Sequence, residues 1–132
     1  MGNIAILPSR QRRLLRVTTY QLLIDVPRPQ RLTIGALGEF DFPAGCYVYT
    51  GSARRNFDAR VARHLRKEKI LRWHIDYLLT APGVTVLDVR RATEPECKLN
   101  QNGGGEVLIP GFGASDCRAG CGSHLRYFGA WL

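Results

Sequence analysis

The sequence predicts an α/β fold of the α+β kind, and three observations carry that prediction. Residues 17–51 hold β-branched and aromatic runs separated by short, turn-rich connections, as in an antiparallel meander. From Phe57 the apolar spacing lengthens to i, i+4, i+8, which is one face of a helix. Helical and extended segments then follow one another to residue 132, with no internal repeat and no linker. The expected organisation is a basic arm over residues 1–16 and a single domain over residues 17–132.

Arg16 to Asp25 is the first predicted strand, ended by Pro27 and Pro29. Arg31 to Gly35 is a second, Gly38 to Phe42 a third extended piece, and Gly45 to Gly51 a fourth. Short connections lead each of these strands to pair with its neighbour. Gly51 and Ser52 break the fourth strand, and Asn56 is the predicted N-cap of a helix from Phe57 to about Lys67. Phe57, Val61 and Leu65 form its apolar face. Arg60, Arg63, His64 and Lys67 form another. A second helix is expected over Leu71 to Leu79, closed by Pro82-Gly83, with Trp73, Ile75, Leu78 and Leu79 as packing residues. Val84 to Val89 reads as a strand. Thr93 reads as the N-cap of a short helix to about Asn100, with Glu96 completing a capping box. Residues 108–122 are glycine-rich and irregular, and His124 to Phe128 reads as a last strand.

The formal net charge is +8, which favours an anionic partner, nucleic acid above all. The charge is concentrated in two places. Arg10, Arg12, Arg13 and Arg16 lie in the arm, either gripping phosphates or keeping the chain soluble. Arg54, Arg55, Arg63, Arg66 and Lys67 lie in a central band, and these five are the candidate nucleic-acid contacts. No apolar run reaches the roughly 18 residues of a membrane span. No signal peptide is read at the N-terminus, so a cytoplasmic, reducing setting is expected for the four cysteines. Nothing in the sequence calls for an obligate protein partner or a membrane.

Tyr20, Tyr49, Arg60, His64 and Glu96 are the candidate catalytic residues. Phosphodiester cleavage needs an activated water, a cation against the phosphate and usually a carboxylate-held metal. Tyr can accept or orient a proton, Arg can clamp phosphate, His can add a polar contact, and Glu can ligate Mg²⁺ or Mn²⁺. From the residues alone, Tyr20 and Tyr49 read equally as sheet packing and Glu96 as a helix cap. His74 either faces the same centre or makes a buried hydrogen bond. Cys97, Cys117, Cys121 and His124 read first as packing residues, with a structural Cys₃His zinc site as the lesser alternative. Ser115 and Asp116 are unassigned candidates for the cleft.

Tyr49-Thr50-Gly51-Ser52-Ala53, Asn56-Phe57, Arg60 and Arg63-His64 resemble the second half of the GIY-YIG nuclease motif and the helix after it. Thr18-Thr19-Tyr20 stands for the first half, with Thr18 in place of its glycine. The resemblance is closer to one branch, domain of unknown function 123. It runs through Gly45 to Ala53, Arg63-His64-Leu65, Trp73 to Leu78, Glu96 to Leu99, Gly111 to Cys117 and Ser123-His124-Leu125. It implies an α/β fold with a small antiparallel sheet flanked by helices and a metal-dependent nuclease site on the sheet face. By that analogy Tyr20 orients or deprotonates water with Tyr49 beside it, Arg60 binds the scissile phosphate, His64 supports it and Glu96 holds one Mg²⁺ or Mn²⁺. One residue more than the commonest spacing separates Gly51 from Arg60; placed in the turn before Phe57, it leaves Arg60 correctly aimed. The function expected is a metal-dependent endonuclease on nucleic acid, DNA first. The alternative is a catalytically inactive nucleic-acid-binding module on the same scaffold.

Overall fold

The computed structural model describes residues 17–114, 117 and 119–130. The expected arm over residues 1–16, and Ser115 and Asp116, lie outside the described residues. The fold is mixed α/β, as the sequence predicts. Strand β1 (Thr19–Val26) is central and pairs antiparallel on one side with β4 (Gly45–Ser52) and on the other with β5 (Thr85–Ala92). Strand β6 (Leu125–Tyr127) adds to β4, giving the order β5-β1-β4-β6.

The expected meander is only partly formed. Strands β2 (Gln30–Ile34) and β3 (Gly38–Phe42) pair with each other in a separate two-stranded ribbon, joined by a 3₁₀ turn at Gly35–Leu37. Pro27 and Pro29 lack the backbone N–H that a continuing ladder needs, so the chain leaves the main sheet after Val26 and returns at Gly45. Ile34 and Phe42 are fully buried and anchor the ribbon to the core, while Arg31 holds Glu39 and Asp41 on its outer face.

Alternation along β1 sends Tyr20, Leu22, Ile24 and Val26 to one buried face. Register sets them opposite Gly51, Tyr49, Tyr47 and Gly45 of β4. Helices α1 (Phe57–Leu65) and α2 (His74–Leu79) contact each other, and Val61, Ile75, Leu78 and Leu79 join the same core, closed by Ile109 and Phe112. Helix α3 (Glu96–Asn102) packs on β4. Among the described residues, no helix is long and apolar enough to cross a membrane.

Four local expectations are corrected. Asn56 does precede α1, but its side chain makes no capping bond; it occupies the left-handed region at φ 53°, which Asn tolerates better than most residues. Helix α1 stops at Leu65, before Lys67, because the Lys69 ammonium takes the carbonyls of Arg63 and His64, each at 2.9 Å. Its buried face is Val61 and His64, while Leu65 is 52% exposed. The Thr93–Glu96 capping box is absent: Pro95 occupies the N-cap of α3 and Glu96 turns to His124 instead.

Candidate active site

The register of β1 and β4 fixes two tyrosines on one sheet face, and α1 lays His64 over them. The imidazole centroid lies 5.3 Å from that of Tyr20 and 6.1 Å from that of Tyr49. Tyr20 Oη and His64 Nε2 are hydrogen-bonded at 2.7 Å. Gly51 permits this: a Cβ there would sit 2.5 Å from Tyr20 Oη, so only glycine lets the phenol cross the strand opposite. Gly113, at φ +64°, likewise passes close to the Tyr49 ring and donates its N–H to His74 Nδ1 at 2.9 Å.

These groups open onto a cleft of about 760 Å³. Its wall includes Tyr20, Tyr49, Arg60, His64 and Glu96, the five residues expected to carry chemistry. Residues 53–56 lie between β4 and α1, and Arg60 is on the cleft wall. Arg60 donates to the Ser52 carbonyl at 3.1 Å. His74 both lines the cleft and makes its hydrogen bond, so its two readings are compatible.

Burial pushes the phenols of Tyr20 and Tyr49 well above their ordinary value, so both are neutral at pH 7. His64 is pulled down to about 4, by burial first and by the Lys69 charge next. Burial acts to raise Glu96, but hydrogen bonds from His124 and Ser52 outweigh it and hold the carboxyl below its usual value. Burial acts to lower His124, but hydrogen bonds with Glu96 first and then with the Cys117 and Cys121 thiols outweigh it and bring it up to about 9. His124 Nδ1 lies 2.8 Å from Glu96 Oε2.

The candidate nucleic-acid contacts divide. Arg54, Arg55 and Arg66 are exposed. Arg63 is turned inward: its two terminal nitrogens each donate to one carboxylate oxygen of Asp76 at 2.8 Å. Lys67 also serves the fold, donating to the carbonyls of Leu79, Ala81 and Val84 at 2.7–3.0 Å. Both cations belong to structural pairings, which charge patterning alone does not separate from a wet basic face.

Two residues near the cleft do more than the sequence reading assigned them, Trp73 being read as packing and Asp76 only as a polar neighbour of His74. Trp73 carries three guanidinium groups around its ring: Arg63, Arg60 and Arg72 lie 4.3, 4.8 and 5.1 Å from its centroid. The density of arginines around Trp73 was the available signal. Asp76 is fully buried and accepts the N–H groups of Arg72 and Trp73 at 2.8 Å each, so it starts α2 and orients Arg63 at once. Cys97, Cys117 and His124 form the far wall of the cleft.

The fold and site define an α+β domain with a cationic, aromatic-walled cleft at one end of an antiparallel sheet; among the described residues, Glu96 is the acidic side chain that lines it, beside a thiol cluster. The chain belongs to the family described as domain of unknown function DUF123, whose model matches residues 19–131. Comparison with curated proteins and with solved structures gives no match.

Proposed function

We propose that the chain is a metal-dependent endonuclease of the GIY-YIG type, hydrolysing phosphodiester bonds in nucleic acid, DNA first. The observation that carries this reading is the convergence of Tyr20, Tyr49, Arg60, His64 and Glu96 on one cleft, from β1, β4, α1 and α3. The sequence resemblance assigns chemistry to the same five residues, and the net charge of +8 suits a polyanionic substrate.

Glu96 fits a hard divalent cation. Its side chain is 25% exposed, its carboxyl is held ionised, and one oxygen is taken by His124. One carboxylate completed by water and substrate phosphate is an ordinary donor set for Mg²⁺ or Mn²⁺. When bound, such an ion polarises the phosphoryl oxygen and offsets developing negative charge. The residues of the chain do the rest. Arg60 presents a guanidinium to the phosphate, held in place by Ser52 and Trp73. Tyr20 acts as a neutral phenol that orients the attacking water, its oxygen fixed by His64. His64, neutral at pH 7, holds that phenol in place through the Tyr20 Oη–His64 Nε2 hydrogen bond.

Labelled single-stranded, duplex and branched DNA incubated with Mg²⁺, Mn²⁺ or EDTA test this reading, beside Glu96→Ala and Arg60→Ala. Metal-dependent cutting that is lost in both variants is expected, with Glu96→Ala retaining DNA affinity. Cutting that persists in Glu96→Ala would remove Glu96 as the metal ligand. A second reading, a binding module without turnover, draws on the burial that keeps the Tyr20 phenol protonated, which denies the cleft a tyrosinate base. Tight, salt-sensitive binding with no cleavage on any substrate or metal would select it.

A further inference from the structure

We propose that Cys97, Cys117, Cys121 and His124 form a Cys₃His zinc site that locks α3 to the segment before β6 and holds Glu96 in the cleft. Cys97 lies in the first turn of α3, and His124 immediately precedes β6. The other two cysteines lie between Phe112 and β6. All four are brought together from a span of 28 residues, with their ligand atoms within 4.8 Å of one another. Zn–S bonds of about 2.3 Å and a Zn–N bond of about 2.0 Å make a tetrahedron with edges of roughly 3.8 Å. Cys97 Sγ lies 3.5 Å from Cys117 Sγ and 3.9 Å from His124 Nε2, close to those edges.

The orientation of His124 adds a second, independent observation. Its Nε2 faces the sulfurs while its Nδ1 faces Glu96 Oε2 at 2.8 Å. A metal-bound imidazole characteristically donates its other N–H to a carboxylate, which fixes the ring and strengthens the ligand. Simple packing asks for no such convergence. Cys46, half-buried on β4 and outside the cluster, is the ordinary thiol of this chain. Three soft sulfur donors with one imidazole select zinc over the hard ions suited to Glu96. The chain would therefore carry two metals of different character, separated by the Glu96–His124 pair. Glu96 would take its position in the cleft from the zinc ligand behind it.

The test needs no nucleic acid, so its failure and failure of the nuclease reading are distinguishable. The full chain, purified under reducing conditions, is analysed for metal by plasma mass spectrometry beside Cys97→Ser, Cys121→Ser and Cys46→Ser. One zinc per chain is expected in the unaltered protein and in Cys46→Ser, falling at least about tenfold in the other two. Because those two variants could lose zinc by unfolding, the unaltered chain is also stripped with chelator and titrated with Co²⁺. A tetrahedral cobalt–thiolate spectrum that Zn²⁺ bleaches is expected. The proposal is overturned by an unaltered chain with neither zinc nor that spectrum, or by equal zinc content in all four proteins. A Cys97–Cys117 disulfide in the reduced-purified chain would overturn it as well.

Discussion

Tyr20 Oη and His64 Nε2, 44 residues apart in sequence, meet at 2.7 Å in the interior and join the central strand to α1. His64 Nδ1 is buried with no hydrogen-bond partner, so the phenol alone sets the ring's polar contact. Tyr20→Phe would keep the ring and remove that contact. The expected cost is about 1–3 kcal/mol of stability, from stranding a buried polar group. Cleavage is expected to fall about 10²-fold, as the attacking water loses the group that orients it. Urea denaturation and initial rates measure the two separately; an unaltered rate would take Tyr20 out of the chemistry.

The same burial makes stability depend on pH. His64 titrates at about 4 in the folded chain and near 6.5 when unfolded. Above about 6.5 it is neutral in both states and contributes no pH dependence. As pH falls from about 6.5 to 4, the unfolded chain takes up the proton and the folded chain does not, so stability is lost, on the order of 3 kcal/mol. Asp76 acts lower on the scale. Burial would raise it, but Arg63 and the N–H groups of Trp73 and Arg72 hold it down, so its contribution is present above about 4 and lost as pH falls through its folded value. Urea midpoints at pH 7, 5.5 and 4.5 are expected to decline in the unaltered chain and to decline less in His64→Gln.

Asp76→Ala would leave the Arg63 guanidinium without its bidentate partner and α2 without its starting carboxylate. A loss of about 3–5 kcal/mol is expected, as for breaking a buried pair. Arg63→Ala should likewise destabilise while leaving the salt dependence of DNA binding unchanged. Arg55→Ala and Arg66→Ala should do the reverse, each lowering the salt slope by about 1 if that residue meets a phosphate. Thermal melts and binding isotherms across a salt series read both effects.

Gly51→Ala tests the close approach in the sheet. The added methyl would stand 2.5 Å from Tyr20 Oη and displace the phenol from His64. Overpacking of this kind costs about 1–3 kcal/mol. The expected signature is a cleavage defect as deep as that of Tyr20→Phe in a chain that still folds. Normal cleavage in Gly51→Ala would show that the phenol is not held where the chemistry needs it.

What was legible in the sequence is what local pattern encodes. The β-branched and aromatic runs gave β1 and β4, and the change of period at Phe57 gave the start of α1. Pairing partners were less legible. Pro27 and Pro29 mark where β1 ends, but nothing local tells β2 to pair with β3 in a separate ribbon, because that choice depends on what Ile34 and Phe42 bury against. Charged side chains were hardest. Arg60 and Arg63 are three residues apart on one helix, yet one lines the cleft and the other is tied to Asp76, thirteen residues on. Glu96 was read both as a cap and as a cleft residue, and only the position of His124 decides which.

The crowding of arginines around Trp73 gives the domain an optical gauge of its own cleft. An indole's emission wavelength follows the electric field across its ring, and here that field is set by three nearby positive charges. Arg63 is tethered to Asp76, whereas a polyanion entering the cleft would draw on Arg60 and Arg72, which line it. The chain has two tryptophans, so replacing Trp131 with Phe leaves Trp73 as the sole emitter. Occupancy of the cleft would then be read as a shift in colour, without a label.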